Sequence, residues 1–443
     1  MSRAFFLARR ALEGLGDWSG GAKAELDRVL SGLQGADAPR ASELVYGVVR
    51  RRRTLHAILG TVARRALKGK TGELLAALEL GAYALVYQER EHRERAIDDA
   101  LSLLDGGKKP RAHVERVLSA LRDAMEGEPS PDDTGFVVPV RRGLSQRFKE
   151  PVLPLEGASP ARRIALLHSY PDELALAWLE ARGPEVALEL ALAGNDPPPL
   201  FIRACSLRTT PEALSARLSA EGALAKVRPD LGPHVLELTG GRSGFRDSPS
   251  WKEGLFVIQD ATAQEPPLLL DPKPGERVLD LCAAPGGKAT YLAELARDEA
   301  RVLATDVAPG RLKKVEETAR RLGLRSVETR VADARRRLQM EKFDAVLVDA
   351  PCSNTGVLRR RPEARWRYSA RSQRKIVALE QTILATARSL VRPGGRLVYS
   401  VCSIEPEEGP SLVRGAGLEV VKELVRLPSP HGGDGGYAAL VGL

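Results

Sequence analysis

Cysteine is scarce in this chain: four in 443 residues, Cys205, Cys282, Cys352 and Cys402, spaced by 77, 70 and 50 positions. No CxxC pair exists and only six histidines are scattered along the sequence, which argues against a disulfide framework or a structural zinc site, so no metal is expected. Long apolar runs are missing too. None approaches the ~20 residues needed to cross a bilayer, and the stretch Phe5-Phe6-Leu7-Ala8 before Arg9 and Arg10 is too short for a signal-peptide core. A cytoplasmic protein without membrane contact is expected, in which isolated cysteines are either core residues or nucleophiles.

Hydrophobic residues make up 43% and charged residues 28%, the balance of a folded globular chain, which excludes disordered, collagen-like and coiled-coil classes. At ~150 residues per domain the length predicts two to four domains. Basic residues exceed acidic ones by 67 to 58. That excess is compatible with a polyanionic partner, and its distribution is more telling. Between Arg359 and Lys375 lie eight basic residues (Arg359, Arg360, Arg361, Arg365, Arg367, Arg371, Arg374, Lys375), one acid, Glu363, and the aromatics Trp366 and Tyr368. A solvated helical face explains many such runs; arginines interleaved with aromatics favour nucleic acid.

Residues 1–125 read as an all-α bundle. Leu44-Val45, Val48-Val49, Leu55, Ile58-Leu59 and Val62 recur at three and four, and Leu74–Val86 and Val114–Leu121 repeat the pattern. Six prolines between Pro129 and Pro160 predict a linker over 126–160. Residues 161–262 mix signals into a small α+β unit: helical segments over 174–180 and 185–192, split by Gly183-Pro184, with short strands at Leu200–Ile202 and Val235–Leu238. From 263 to 443 apolar runs alternate with amphipathic segments, the pattern of a Rossmann-like parallel sheet covered by helices. Strands are expected at 277–281, 301–306, 327–331, 343–349 and 396–400, with an antiparallel hairpin of 418–425 and 437–441 at the sheet edge.

Ligands of such sheets sit beyond the carboxyl ends of the strands. After the first strand comes Asp280-Leu281-Cys282-Ala283-Ala284-Pro285-Gly286-Gly287-Lys288. A Walker A loop would need Gly at Cys282 and Ser or Thr at Ala289, and a dinucleotide fingerprint would need a spaced glycine triplet. The adenosyl-methionine loop of a class I methyltransferase remains, beside a plain tight turn. Asp306 ends the second strand, placed to accept both ribose hydroxyls. Asp333 follows the third, placed to accept an adenine amino proton, and Asp349 ends the fourth. The series favours the cofactor site over a bare turn.

The fourth strand runs into Asp349-Ala350-Pro351-Cys352 and the fifth into Cys402-Ser403-Ile404-Glu405-Pro406-Glu407-Glu408. Two thiols beside a methyl donor suit carbon-5 of cytosine. A thiolate adding to carbon-6 makes carbon-5 nucleophilic, a second cysteine can help expel the first, and Asp349 can steady the ring as charge develops.

These three segments resemble motifs of the RNA cytosine-5 methyltransferases of the Nol/Nop/Sun type. The resemblance implies Cys402 as covalent nucleophile and Cys352 as the residue assisting release. It also implies contacts of Cys282, Ala283, Ala284, Pro285, Gly286, Gly287, Lys288, Asp306, Asp333 and Asp349 with S-adenosyl-methionine. The helical N-terminal region resembles the antitermination factor NusB. That domain order is similar to family members acting on 16S ribosomal RNA, and implies 16S rRNA as partner, a monomeric enzyme, and position 967 as target. Transfer RNA or 23S RNA as substrate, and a non-catalytic assembly factor, are the alternatives. Arg359, Arg360, Arg361, Arg365, Trp366 and Arg367 are the expected RNA contacts. The sequence departs from the family at Glu115 (usually Asn), Val401 (usually Thr), Gly409-Pro410 and Gly436 (usually aromatic).

Overall fold

The computed structural model describes residues 2–16, 21–31, 37–64, 72–104, 107–131, 135–241 and 244–442. They divide into two compact units, Met1–Asp196 with Leu358–Ser369, and Pro197–Val357 with Ala370–Leu443.

The first unit opens with six helices: α1 (Arg3–Gly14), α2 (Ala22–Leu30), α3 (Asp37–Val62), α4 (Gly72–Tyr87), α5 (Arg90–Leu101) and α6 (Lys108–Ala124). The three-and-four pattern read from sequence is their buried face: Leu44, Val48, Leu55, Ile58, Leu78, Leu85, Val117 and Leu121 share one core. Helices α3 and α4 cross closely at Gly47, where a Cβ would stand 2.0 Å from the Tyr83 ring, so only glycine fits.

The expected linker is instead a sheet. Strands β1 (Met125–Ser130), β2 (Phe136–Arg141) and β3 (Leu144–Phe148) pair antiparallel in the order β1-β3-β2. Pro129 and Pro139 lie on the two edge strands, and the central strand carries none, which is how a sheet tolerates proline. Val138, Phe148, Val152 and Leu153 join the helical core, so 126–150 belongs to this unit rather than connecting it to another.

Helices α7 (Pro160–His168) and α8 (Asp172–Ala193) complete the unit, and α8 breaks at Gly183 (φ 79°) before Pro184, as the sequence predicts. The expected 161–262 domain is therefore corrected: 161–196 packs with the bundle, while 197–262 belongs to the second unit.

The second unit begins with β4 (Leu200–Ala204), α9 (Pro211–Ala220), β5 (Leu224–Val227), β6 (Val235–Gly240), α10 (Pro249–Lys252) and β7 (Phe256–Ile258). Their four-stranded sheet runs β5-β6-β4-β7. Then follow α11 (Ala261–Leu270), β8 (Arg277–Asp280), α12 (Gly287–Leu295), β9 (Arg301–Asp306), α13 (Pro309–Leu322), β10 (Val327–Val331), β11 (Phe343–Asp349), α14 (Ala370–Leu390), β12 (Val391–Val401), α15 (Pro410–Gly415), β13 (Glu419–Arg426) and β14 (Gly436–Gly442). The seven-stranded sheet has the order β10-β9-β8-β11-β12-β14-β13. Strands β8 to β12 pair in parallel and β13 and β14 form the expected antiparallel edge. The strand order reverses at β8, which makes the carboxyl ends of β8, β9 and β11 the binding crevice of this Rossmann-like fold.

Candidate active site

At the β8 end, Asp280 is fully buried, and neither carboxyl oxygen has a hydrogen-bond partner of ordinary geometry. Burial, with Asp349 adding to it, pushes its carboxyl up to about 8. The turn behind it is pressed against α13. Gly286 has φ 106°, and a Cβ there would lie 2.9 Å from the Val315 Cα. Glycine thus lets the backbone lead tightly into the N-terminus of α12, where unpaired N–H groups favour a negatively charged ligand group. An orphaned buried acid beside a bare, close-fitting loop suits a cationic, carboxylate-bearing cofactor such as S-adenosyl-methionine. Burial and the charges of Asp280, Asp349 and Asp306 push the Cys282 thiol far up, so it stays neutral there.

Asp306 is buried at the end of β9 and accepts the Ala308 N–H at 3.0 Å. Arg311 pairs with Asp306 at 3.2 Å and donates to the Ala284 carbonyl at 2.6 Å, bracing two loops the sequence reading did not connect. Asp333 is held by its own neighbour. Its carboxylate accepts from the Arg335 N–H and guanidinium at 2.8–3.0 Å, and those bonds hold it down at about 2.

The reactive end follows from register. Strands β11 and β12 pair Asp349 with Ser400, so the turns after them run side by side. Cys352 and Cys402 come together with sulfurs 3.2 Å apart, and the Cys402 thiol also reaches Asn354 Oδ1 at 3.4 Å. Asn354 takes the left-handed conformation (φ 63°) and donates to the Cys352 carbonyl at 2.7 Å. The Ser403 hydroxyl lies 3.1 Å from both the Ser353 and Thr355 hydroxyls, stitching one turn to the other. The hydrogen bond to Cys402, with burial, raises the Cys352 thiol well above its ordinary value. That contact and its burial make Cys352 reluctant to lose its proton.

Lys288 reaches across from α12 to Asp349, Nζ to Oδ2, at 2.6 Å, and Asp349 Oδ1 accepts the Ser400 hydroxyl at 2.9 Å. Burial opposes the lysine's charge, yet Asp349 and Cys402 hold the ammonium above its ordinary value. Lys288, Asp349 and Cys402 line a small cleft whose far wall includes Asp260, Asp434 and Tyr437. Asp260 fixes that wall by accepting the Thr262 and Asp434 N–H groups at 3.0 and 2.9 Å. Sequence reasoning missed Asp260, whose only local signal is its position before a helix start. Gly436 is explained here: a Cβ would stand 2.8 Å from the Val401 carbonyl, leaving no room for an aromatic without moving the strand.

The expected RNA contacts are only partly available. Arg359 and Arg365 are buried, and Arg365 donates to the carbonyls of Arg50, Ser169 and Gly194 and to Asn195 Oδ1 at 2.9–3.1 Å. Ser169 and Gly194 cap the C-terminal ends of α7 and α8, so Arg365 satisfies orphan carbonyls of two helices. Trp366 packs against the helical core and donates its indole N–H to the Val49 carbonyl at 2.9 Å. Arg359, Arg365 and Trp366 are thus packed into the first unit, a correction of the expectation: Arg359 is buried, the Arg365 donors are taken by buried carbonyls and Asn195, and the Trp366 donor by Val49. Arg361 and Arg367 are exposed and Arg360 is half-buried.

Two family models match the chain: 16S rRNA methyltransferase RsmB/F over residues 267–434, and the NusB family over 11–120. A probable ribosomal RNA small subunit methyltransferase B from Synechocystis is 30% identical over 86% of this chain and 82% of its own length. The chain belongs to the RsmB/F methyltransferase family. The ribosomal RNA small subunit methyltransferase B of Klebsiella pneumoniae is 31% identical, covering 91% of this chain and 89% of that protein. The solved structure of PH0851 shares the fold at a TM-score of 0.78 and 22% identity, over 100% of this chain and 99% of that one. As a member of the RsmB/F family, the chain is an S-adenosyl-methionine-dependent RNA methyltransferase. Among the described residues no helix is long and apolar enough to cross a membrane, and no group of three or more His, Cys, Asp or Glu is arranged for a metal ion.

Proposed function

We propose that the chain methylates carbon-5 of a cytosine in 16S rRNA, at the position numbered 967, through a covalent bond between Cys402 and carbon-6. The observation that carries this reading is the contact of two thiols, 3.2 Å apart, on a cavity that also holds Lys288 and Asp349. Transfer to an exocyclic amine needs no thiol, and a second thiol touching the first has no use there. The choice of 16S rRNA rests on the names of the relatives.

The loop Cys282–Lys288 and Asp280 would hold the methionine portion of the cofactor, Asp306 the ribose hydroxyls and Asp333 the adenine amino group. Bound there, S-adenosyl-methionine supplies a methyl group on a positively charged sulfur, which a nucleophilic carbon can take up. The Cys402 thiolate adds to carbon-6, forming the S–C6 bond and moving the C5=C6 electron pair onto carbon-5. Lys288 and Asp349 hold the ring's polar edge as that charge develops. After methylation the carbon-5 proton leaves to solvent. Its bonding pair restores C5=C6, and the S–C6 pair returns to Cys402. Cys352, kept protonated in the pair, donates its proton to the departing sulfur. The target base must be unstacked to enter the cavity. Arg360, Arg361 and Arg367 would meet the RNA backbone.

The test incubates the protein with labelled S-adenosyl-methionine and unmodified 16S RNA, transfer RNA or 23S RNA, with bisulfite sequencing of the products. One methylated 16S cytosine, lost in Cys402→Ala, is the expected result, with RNA trapped on the protein in Cys352→Ala. Methylation confined to transfer RNA or 23S RNA would overturn the substrate and keep the chemistry. Cofactor binding without transfer to any RNA would favour an assembly factor.

A further inference from the structure

Directly behind the thiols lie two acids that the chemistry above does not use. Glu408 follows the Cys402 turn, is fully buried, and accepts the Ser353 N–H through Oε2 at 2.7 Å. Glu380, on α14, is also fully buried and faces Glu408 and Cys402. Neither acid has a Lys or Arg ion-pair partner among the described residues. Glu408 Oε1 and both oxygens of Glu380 lack a partner of ordinary hydrogen-bond geometry. Tyr399, between the same elements, donates its hydroxyl to the Glu408 backbone carbonyl at 2.9 Å.

Two buried acids with no cation are a poor way to stabilise a core. Apolar residues of similar volume would do it better, and an unpaired buried carboxylate costs far more than it returns. Groups kept in this state concentrate beside reacting atoms. Here Glu408 also meets the Ser353 and Ser403 side chains and Glu380, and its bond of 2.7 Å runs to the amide next to Cys352.

We propose that Glu408, backed by Glu380, is the positioning residue for Cys352: it anchors the Ser353 amide and so keeps the Cys352 sulfur against Cys402 for the release step. The inference rests on the reading of Cys352 given above. Burial, with Glu408 adding to it, pushes the Glu380 carboxyl up to about 10, and burial raises Glu408 as well. Glu380 therefore stays protonated and neutral beside its partner, leaving Glu408 as the acceptor for Ser353. Glutamine can replace that neutral, donor-bearing group; leucine cannot. Loss of the anchor lets the Cys352 turn drift, and a displacement of ~1 Å at a reacting group is enough to slow a step on the order of 100-fold.

The experiment uses the full chain with labelled S-adenosyl-methionine and unmodified 16S RNA. It compares Glu408→Leu, Glu380→Leu, Glu380→Gln and Cys352→Ala with the wild type. Cofactor binding, the first round of methyl transfer, repeated turnover and denaturant-resistant RNA–protein adduct are read separately. In Glu408→Leu and Glu380→Leu the first transfer is expected to persist while turnover falls and adduct accumulates, as in Cys352→Ala. Glu380→Gln is expected to restore turnover towards the wild-type rate. Normal turnover without adduct in Glu408→Leu would overturn the inference. So would loss of cofactor binding and first transfer together with release, which marks a purely structural role. If Cys352→Ala traps RNA and Glu408→Leu does not, only the positioning inference falls. If Cys352→Ala traps none, the reading of the thiols falls and takes the inference with it.

Discussion

Lys288 and Asp349 meet at 2.6 Å across the crevice, joining the start of α12 to the end of β11. The pair sits on the cavity wall beside Cys402 and is fixed by the Ser400 hydroxyl. Asp349→Asn removes the charge and leaves a mostly enclosed ammonium without its partner. Single-turnover methyl transfer is expected to fall on the order of 100- to 1000-fold, the usual cost of losing a preorganised electrostatic group. Ser400→Ala, which removes only the supporting hydroxyl, is expected to lose far less. Equal losses in the two variants would contradict this division.

Arg365 and Arg361 lie four positions apart and should behave oppositely. Arg365→Leu strips donors from buried helix-end carbonyls, and a stability loss of about 3 kcal/mol is expected in chemical denaturation. Arg361→Ala, at an exposed position, is expected to leave stability within about 0.5 kcal/mol. It should weaken RNA binding, with a reduced salt dependence, and leave cofactor affinity unchanged. A stability loss in Arg361→Ala matching that of Arg365→Leu would refute the contrast.

Asp280 ties stability to pH in the cofactor-free protein. Its folded carboxyl is raised to about 8, whereas an unfolded aspartate releases its proton near ~4. Between those values the folded chain binds the extra proton, so this group's contribution falls as pH rises through the window and levels off above it. Asp280→Asn should therefore gain on the order of 5 kcal/mol over the wild type at pH 8, with the gain vanishing near pH 4. Denaturation curves at pH 5 and pH 8 decide it; a gain that does not grow with pH rules the carboxyl out as its source.

Arg203 and Glu294 form a fully buried ion pair at 2.6 Å, linking β4 to α12, and Arg203 also donates to the Gly287 carbonyl at 2.7 Å. Glu294→Ala strands a buried guanidinium, and a loss of about 3–5 kcal/mol is expected. Because the same guanidinium steadies the start of α12, cofactor affinity measured by calorimetry should weaken too. Unchanged affinity in a folded Glu294→Ala protein would disconnect the pair from the loop.

The Rossmann-like sheet was legible because its signals are local: apolar runs of strand length, glycines at one turn, and an acid at each of four strand ends. The closeness of Cys352 and Cys402 could be expected from their places after neighbouring strands. The segments that misled share one cause. Prolines over 129–160 signalled a linker because sequence does not show that Pro129 and Pro139 fall on sheet edges. The arginine run signalled RNA because charge counts do not show which guanidinium meets helix-end carbonyls. Glu380 gave no signal, and Asp260 and Glu408 gave only a helix start and a place in a motif, since register and helix packing decide what they meet across the fold.

The chain enters the first unit again at Leu358, six residues after Cys352, and leaves it at Ser369. The polypeptide thus crosses between the units three times, after Asp196, after Val357 and after Ser369. Nicking the backbone near residue 196 would release neither piece, and no single truncation yields one unit with its full complement of residues.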